Sequence, residues 1–110
     1  MALTSTEITN TGEDIFLCPG TDPSDIQEHA VTCMIFCNTS ASDVTLDLYA
    51  VASTLGVSTR TQIIKELTIA AGETFTFDTE KVILSTADRI HAVASVSNRL
   101  SVTVSSMRVS

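Results

Sequence analysis

The chain has 110 residues, a formal net charge of −7, 44% apolar side chains and only 17% charged ones, which fits one domain and is too apolar for intrinsic disorder. About 30 Ser and Thr residues stand in for the missing charge, well above ordinary usage, while four glycines and two prolines exclude a collagen-like or linker-like chain. Thirteen acidic against six basic residues argue against sequence-independent nucleic-acid binding, which needs Lys and Arg on phosphates, and against adhesion to anionic lipid. No stretch approaches the ~18 apolar residues of a membrane span. Met1 to Glu7 carries neither a basic nor an apolar signal region, so no signal peptide is expected and synthesis in the cytoplasm is.

Residues 1–12 read as an N-terminal arm, with Leu3 to Thr9 able to form a strand. From residue 13 to 110 the period is two. Asp14-Ile15-Phe16-Leu17-Cys18 predicts a strand ended by Pro19-Gly20, and residues 21–28 hold at most one helical turn. Next, Val31, Cys33, Ile35 and Cys37 alternate with Met34 and Phe36. Both faces are apolar, which predicts a central strand covered by a second sheet or by a neighbouring subunit. Val44, Leu46 and Leu48 alternate with Thr45, Asp47 and Tyr49 in a half-buried strand, joined to the previous one by a small polar hairpin loop, Asn38 to Asp43. Ser53 to Thr61 shows no period and predicts an exposed loop. Ile63, Lys65, Leu67 and Ile69 then alternate with Ile64, Glu66 and Thr68, and Gly72 is free to turn the chain with positive φ. Thr74 to Asp78, Val82 to Leu84, Ile90 to Val96 and Leu100 to Ser105 complete seven to nine short strands. The expectation is an all-β single domain, an antiparallel β-sandwich of jelly-roll type.

Catalytic equipment is sparse. There is no Gly-x-Ser-x-Gly and no phosphate-binding glycine loop. Cys33 or Cys37 with His91 suggests a thiol–imidazole pair, against which burial among Val31 and Ile35 would leave the thiols inert. The three cysteines are odd in number, and four extended residues put Cys33 and Cys37 roughly 13 Å apart, beyond the ~7 Å a disulfide allows. No spacing suits zinc. Asp22, Asp25 and Glu28 lack the geometry of a calcium loop and read as a solvated acidic loop. Asn38-Thr39-Ser40 fits the glycosylation pattern only formally. One Tyr and no Trp offer little for sugar stacking. No enzymatic activity, cofactor or metal is expected.

The runs Ile15 to Gly20, Ala30 to Ser40 and Asp43 to Tyr49 resemble the small β-sandwich structural proteins of tailed-phage virions. Leu67-Thr68-Ile69-Ala70-Ala71-Gly72-Glu73-Thr74 is similar to a turn of that family, with Ala70 at its proline. Asp88 to Ser95 and Leu100 to Ser105 are similar to its last two strands. The likeness spans roughly residues 13 to 107. It implies a structural role in the virion, decorating or cementing the capsid, with neck, tail or baseplate as the alternative. The implied partners are copies of the chain, as a trimer, and the major capsid protein or other virion proteins.

A host-glycan-binding module is the rival from another class. For contacts with neighbours the candidates are Met34 and Phe36 on the second face of their strand, which would otherwise fill the monomer's own core, and Leu55 and Val57 in the exposed loop. Leu3 and Ile8 join them because a short arm often orders only on a neighbour.

Overall fold

In a computed structural model that describes residues 2–20, 24–54, 56–57, 61–77 and 82–109, the chain forms β1 (Ala2–Ile8), β2 (Glu13–Leu17), β3 (Glu28–Asn38), β4 (Val44–Val51), β5 (Gln62–Ile69), β6 (Thr74–Phe77), β7 (Val82–Ser85), β8 (Arg89–Ala94) and β9 (Leu100–Arg108). Sheet I has the order β1-β9-β3-β6, with β7 also on β3; sheet II has the order β2-β8-β4-β5. Because β6 pairs with residues 34–37 of β3 and β7 with residues 28–31, the two are successive halves of one edge. Counted so, every connection but β4–β5 crosses from one sheet to the other, which is jelly-roll connectivity. The fold class read from the sequence is therefore the one found.

The core lies between the sheets and follows the period of two. In β4, Val44, Leu46 and Leu48 point inward; in β8, Ile90, Ala92 and Ala94; in β9, Leu100, Val102 and Val104. Phe36 stacks on Phe75 at 6.2 Å and 30°. Full burial of side chains this large contributes about 1.5–3 kcal/mol each. The accessible surface, 5962 Å², is close to the roughly 5,900 Å² of a monomer of this mass, so one chain closes its own core.

Four expectations need correction. Residues 1–12 are not a separate arm: Ala2–Ile8 pairs with β9 along its whole length, and Ile8 is sealed in the core, because β9 would otherwise leave a row of unpaired backbone groups on that side. Met34 and Phe36 are core, each with no exposure. Asn38 to Asp43 is no hairpin loop but a corner between sheets, since β3 and β4 do not pair. Finally, irregularities at Ile15, at Thr32, at Lys65–Glu66 and at Ile63 shift the register, and an extra residue reverses the inward set. Val31 thus shares the core face with Met34 rather than the outer face with Cys33 and Ile35. The helical turn expected within residues 21–28 falls partly on 21–23, outside the described residues; Ser24 to Gln27 forms none.

Candidate functional site

Each sheet has an outer face, and the candidate functional groups lie there. On sheet I, the inward turn of Met34 and Phe36 sends Cys33, Ile35 and Cys37 outward. Ile35 sits between Thr103 of β9 and Thr76 of β6, and Thr103 faces Ser5 of β1. In the Thr32 bulge, the hydroxyl donates to the Ser105 carbonyl at 3.1 Å. Towards the far end of β3, Ala30 lies between Ile83 and Met107, whose side chains stand 62% and 43% exposed. Leu3, opposite Ser105, is 72% exposed and Ile35 41%. The charged residues of this sheet, Glu7, Glu28 and Arg108, all sit at or next to strand ends.

Sheet II presents polar chemistry instead. His91, in the middle of β8, is opposite Asp14 on β2 and Tyr49 on β4. Its Nδ1 lies 2.8 Å from Asp14 Oδ1, and its ring meets Tyr49 edge-on at 6.0 Å. Arg89 Nε is 3.5 Å from the same carboxylate oxygen. Gly12, at φ +103°, lays its backbone on the imidazole; a Cβ there would collide with Nε2. The carboxylate therefore orients the ring while Gly12 covers its second nitrogen. That arrangement fastens β2 to β8.

An open groove of about 290 Å³ runs beside β2, lined by Asp14, Ile15, Phe16, Leu17, Pro19, His29 and Ser106. Its polar groups do not converge: Asp14 is turned to His91 and Arg89, and His29 pairs with Gln27 at 3.0 Å. No cluster of three metal-ligating side chains occurs among the described residues, and no described helix is long and apolar enough to cross a membrane.

Of the residues singled out for contacts, Leu3 and Val57 are exposed, while Ile8, Met34 and Phe36 are interior. Leu55 lies outside the described residues. Cys33 and Cys37 stand half-exposed on sheet I and His91 on sheet II, so the sandwich separates the suggested thiol–imidazole pair. Cys18 is the buried thiol; burial pushes it above its ordinary value, and the carboxylates of Asp88 and Glu28 add to this against a backbone hydrogen bond at His29. Asn38 is wholly buried, its amide donating to the carbonyls of Ser42 (2.7 Å) and Ile69 (2.9 Å) and its oxygen accepting from Ser40 N–H and Oγ–H. A glycan cannot be attached to a nitrogen so engaged. Sequence reading missed the outward set Ile35, Ile83 and Met107, and the Asp14–His91 pair; the only available signal was apolar residues on both parities of β3.

No family model, no curated protein and no solved structure matches this chain.

Proposed function

We propose that the chain is a structural component of a tailed-phage virion, most simply a capsid decoration or cement protein that works through many copies. The observation that carries this reading is the contrast between its two exteriors: among the described residues, one face is hydroxyl-rich and free of charge between its strand ends, while the other presents Asp14, Asp47, Arg89 and His91. Such a body suits being covered on one side and wetted on the other. Its partners on this reading are further copies and the major capsid protein. Low affinity per contact is offset by copy number. Jelly rolls serve in viral capsids and also in lectins, so the fold by itself is an analogy; what leans towards the virion is the resemblance in strands and turns over residues 13 to 107.

Within the class, a tail, neck or baseplate component is the alternative. The host-glycan reading gains little, because Tyr49, the single Tyr, is placed edge-on to His91 rather than as an open stacking platform. Quantitative mass spectrometry of purified particles decides between these: hundreds of copies are expected, near six or twelve would move the protein to the tail or neck, and absence from particles would end the virion reading.

A further inference from the structure

We infer that the outer face of sheet I is a self-association surface, on which two copies of this chain pair about a two-fold axis. The first support is composition. Leu3, Ile35, Ile83 and Met107 are four of the ten large apolar side chains exposed among the described residues, and register places them on this one face. Ile83 and Met107 flank Ala30 in one row and Ile35 lies further along β3 beyond Cys33; large apolar groups gathered on one exposed face mark contact sites.

Charge then selects the occupant. Each copy carries −7, so two copies repel wherever carboxylates face each other. Between the strand ends of sheet I the described residues carry no ionised side chain, and copies can meet over them without that repulsion. Between its large apolar side chains the face carries Cys33 and Cys37 and the hydroxyls of Ser5, Thr76, Ser101, Thr103 and Ser105, and each hydroxyl both donates and accepts. Such a surface is complementary to itself, which an acidic or basic partner is not.

Area is the third support. Four strands about 4.8 Å apart and about nine residues long at ~3.3 Å each span on the order of 550 Å² in projection. Pleat and side chains add to this, bringing it near the roughly 800 Å² per partner of a standard interface. A face meeting its own copy is isologous and closes with two subunits; the three-fold ring expected from the sequence would have to use another surface. With the axis in the plane of the interface, passing near Ile35 and running across β3, Cys33 of one copy lies towards Cys37 of the other. The inference does not depend on the virion reading.

Sedimentation equilibrium of the full chain tests it. The unaltered chain is expected at twice its 11.7 kDa mass at concentrations up to about 200 µM, and Ile35→Glu should raise the dissociation constant about 100-fold or more by burying an unpaired charge. Thr103→Glu, beside Ile35 on β9, is the second variant should the first misfold. Thr68→Glu, exposed on sheet II, should leave association unchanged. A bismaleimide of about 10 Å, matching the spacing of stacked sheets, should join two chains through Cys33 and Cys37 and fail with both changed to Ser. A chain that stays monomeric, a trimer, a dimer indifferent to both sheet I charges, or equal sensitivity to Thr68→Glu would each overturn the proposal.

Discussion

The two sheets share one core and differ in what they show to water. Sheet I, whose central strand β3 is also the longest, exposes cysteine, isoleucine and hydroxyls; sheet II exposes Leu17 and Ile63 beside Asp14, Asp47, Arg89 and His91 and is shaped by bulges at Ile15, Ile63 and Lys65–Glu66. The difference starts in single strands. In β4 the outward residues are Thr45, Asp47 and Tyr49, which belong in water; in β3 they are Cys33, Ile35 and Cys37, which gain nothing there. A sandwich can keep both exteriors polar, and sheet I gathers Leu3, Ile35, Ile83 and Met107 against Leu17 and Ile63 on sheet II, an excess that closing the core does not require.

The sharpest way to test that division is to cut adjacent residues of β3. Phe36, wholly buried against Phe75, should cost about 3–5 kcal/mol on truncation to Ala, read as a lower urea midpoint of the monomer. Its neighbour Ile35, truncated to Ala, should cost under about 1 kcal/mol in the same assay, because less of it leaves water. Equal losses would mean that the two faces of β3 are not distinct.

Asn38 joins the two sheets where β3 turns into β4. Asn38→Ala leaves the carbonyls of Ser42 and Ile69 and the Ser40 donors without their partner, a loss of about 3 kcal/mol for groups buried without hydrogen bonds. Chemical denaturation checks the size, and hydrogen exchange should show fastest loss of protection at 38–43. A change below about 1 kcal/mol would indicate that water replaces the amide at the corner.

These residues also mark what the sequence could and could not say. β4, β8 and β9 keep an unbroken period of two, and their inward residues were legible from it. β2, β3 and β5 each hold a bulge, and an extra residue moves everything beyond it to the other face. For that reason Val31 was grouped with Cys33, and Ile63 with Leu67, although Ile64 packs on the core and Ile63 is exposed. The candidate face was visible only as excess apolar character in β3, because its other members, Leu3, Ile83 and Met107, are brought to it by pairings that join distant parts of the chain. Sheet membership was likewise hidden: a small polar connection such as Asn38 to Asp43 suits a hairpin and a corner equally, and the choice was made by the burial of Asn38.

Where β7 leaves sheet I for β8 of sheet II, the turn from Ser85 to Asp88 is closed by Asp88 N–H donating to Ser85 C=O at 2.9 Å. Ala87 occupies it with φ +72°. An L-residue with a Cβ is strained there by about 1–2 kcal/mol, partly matched by the greater chain entropy glycine loses on folding. Ala87→Gly should therefore stabilise the protein by about 0.5–1 kcal/mol, a rise of a few degrees in melting temperature for a domain of this size. A fall would show that the turn tolerates the Cβ and that entropy dominates.

The smallest effect belongs to the charged exterior. Asp14 holds His91 and Arg89, yet its side chain is 44% exposed and that of Arg89 34%, so solvent screens the pair and Asp14→Asn should change stability by less than about 1 kcal/mol. Asparagine can still accept from Nδ1, which keeps the ring oriented over Gly12. What remains is the ionic part, and it should shrink towards zero in about 1 M salt, where the screening length is about 3 Å. Thermal melts at low and high salt measure both quantities. Because the residue lies on sheet II, sedimentation of the same variant should match the unaltered chain. A salt-independent loss of several kcal/mol would place a structural burden on sheet II that its exposure does not suggest, and a change in association would move the contact surface from the apolar face to the charged one.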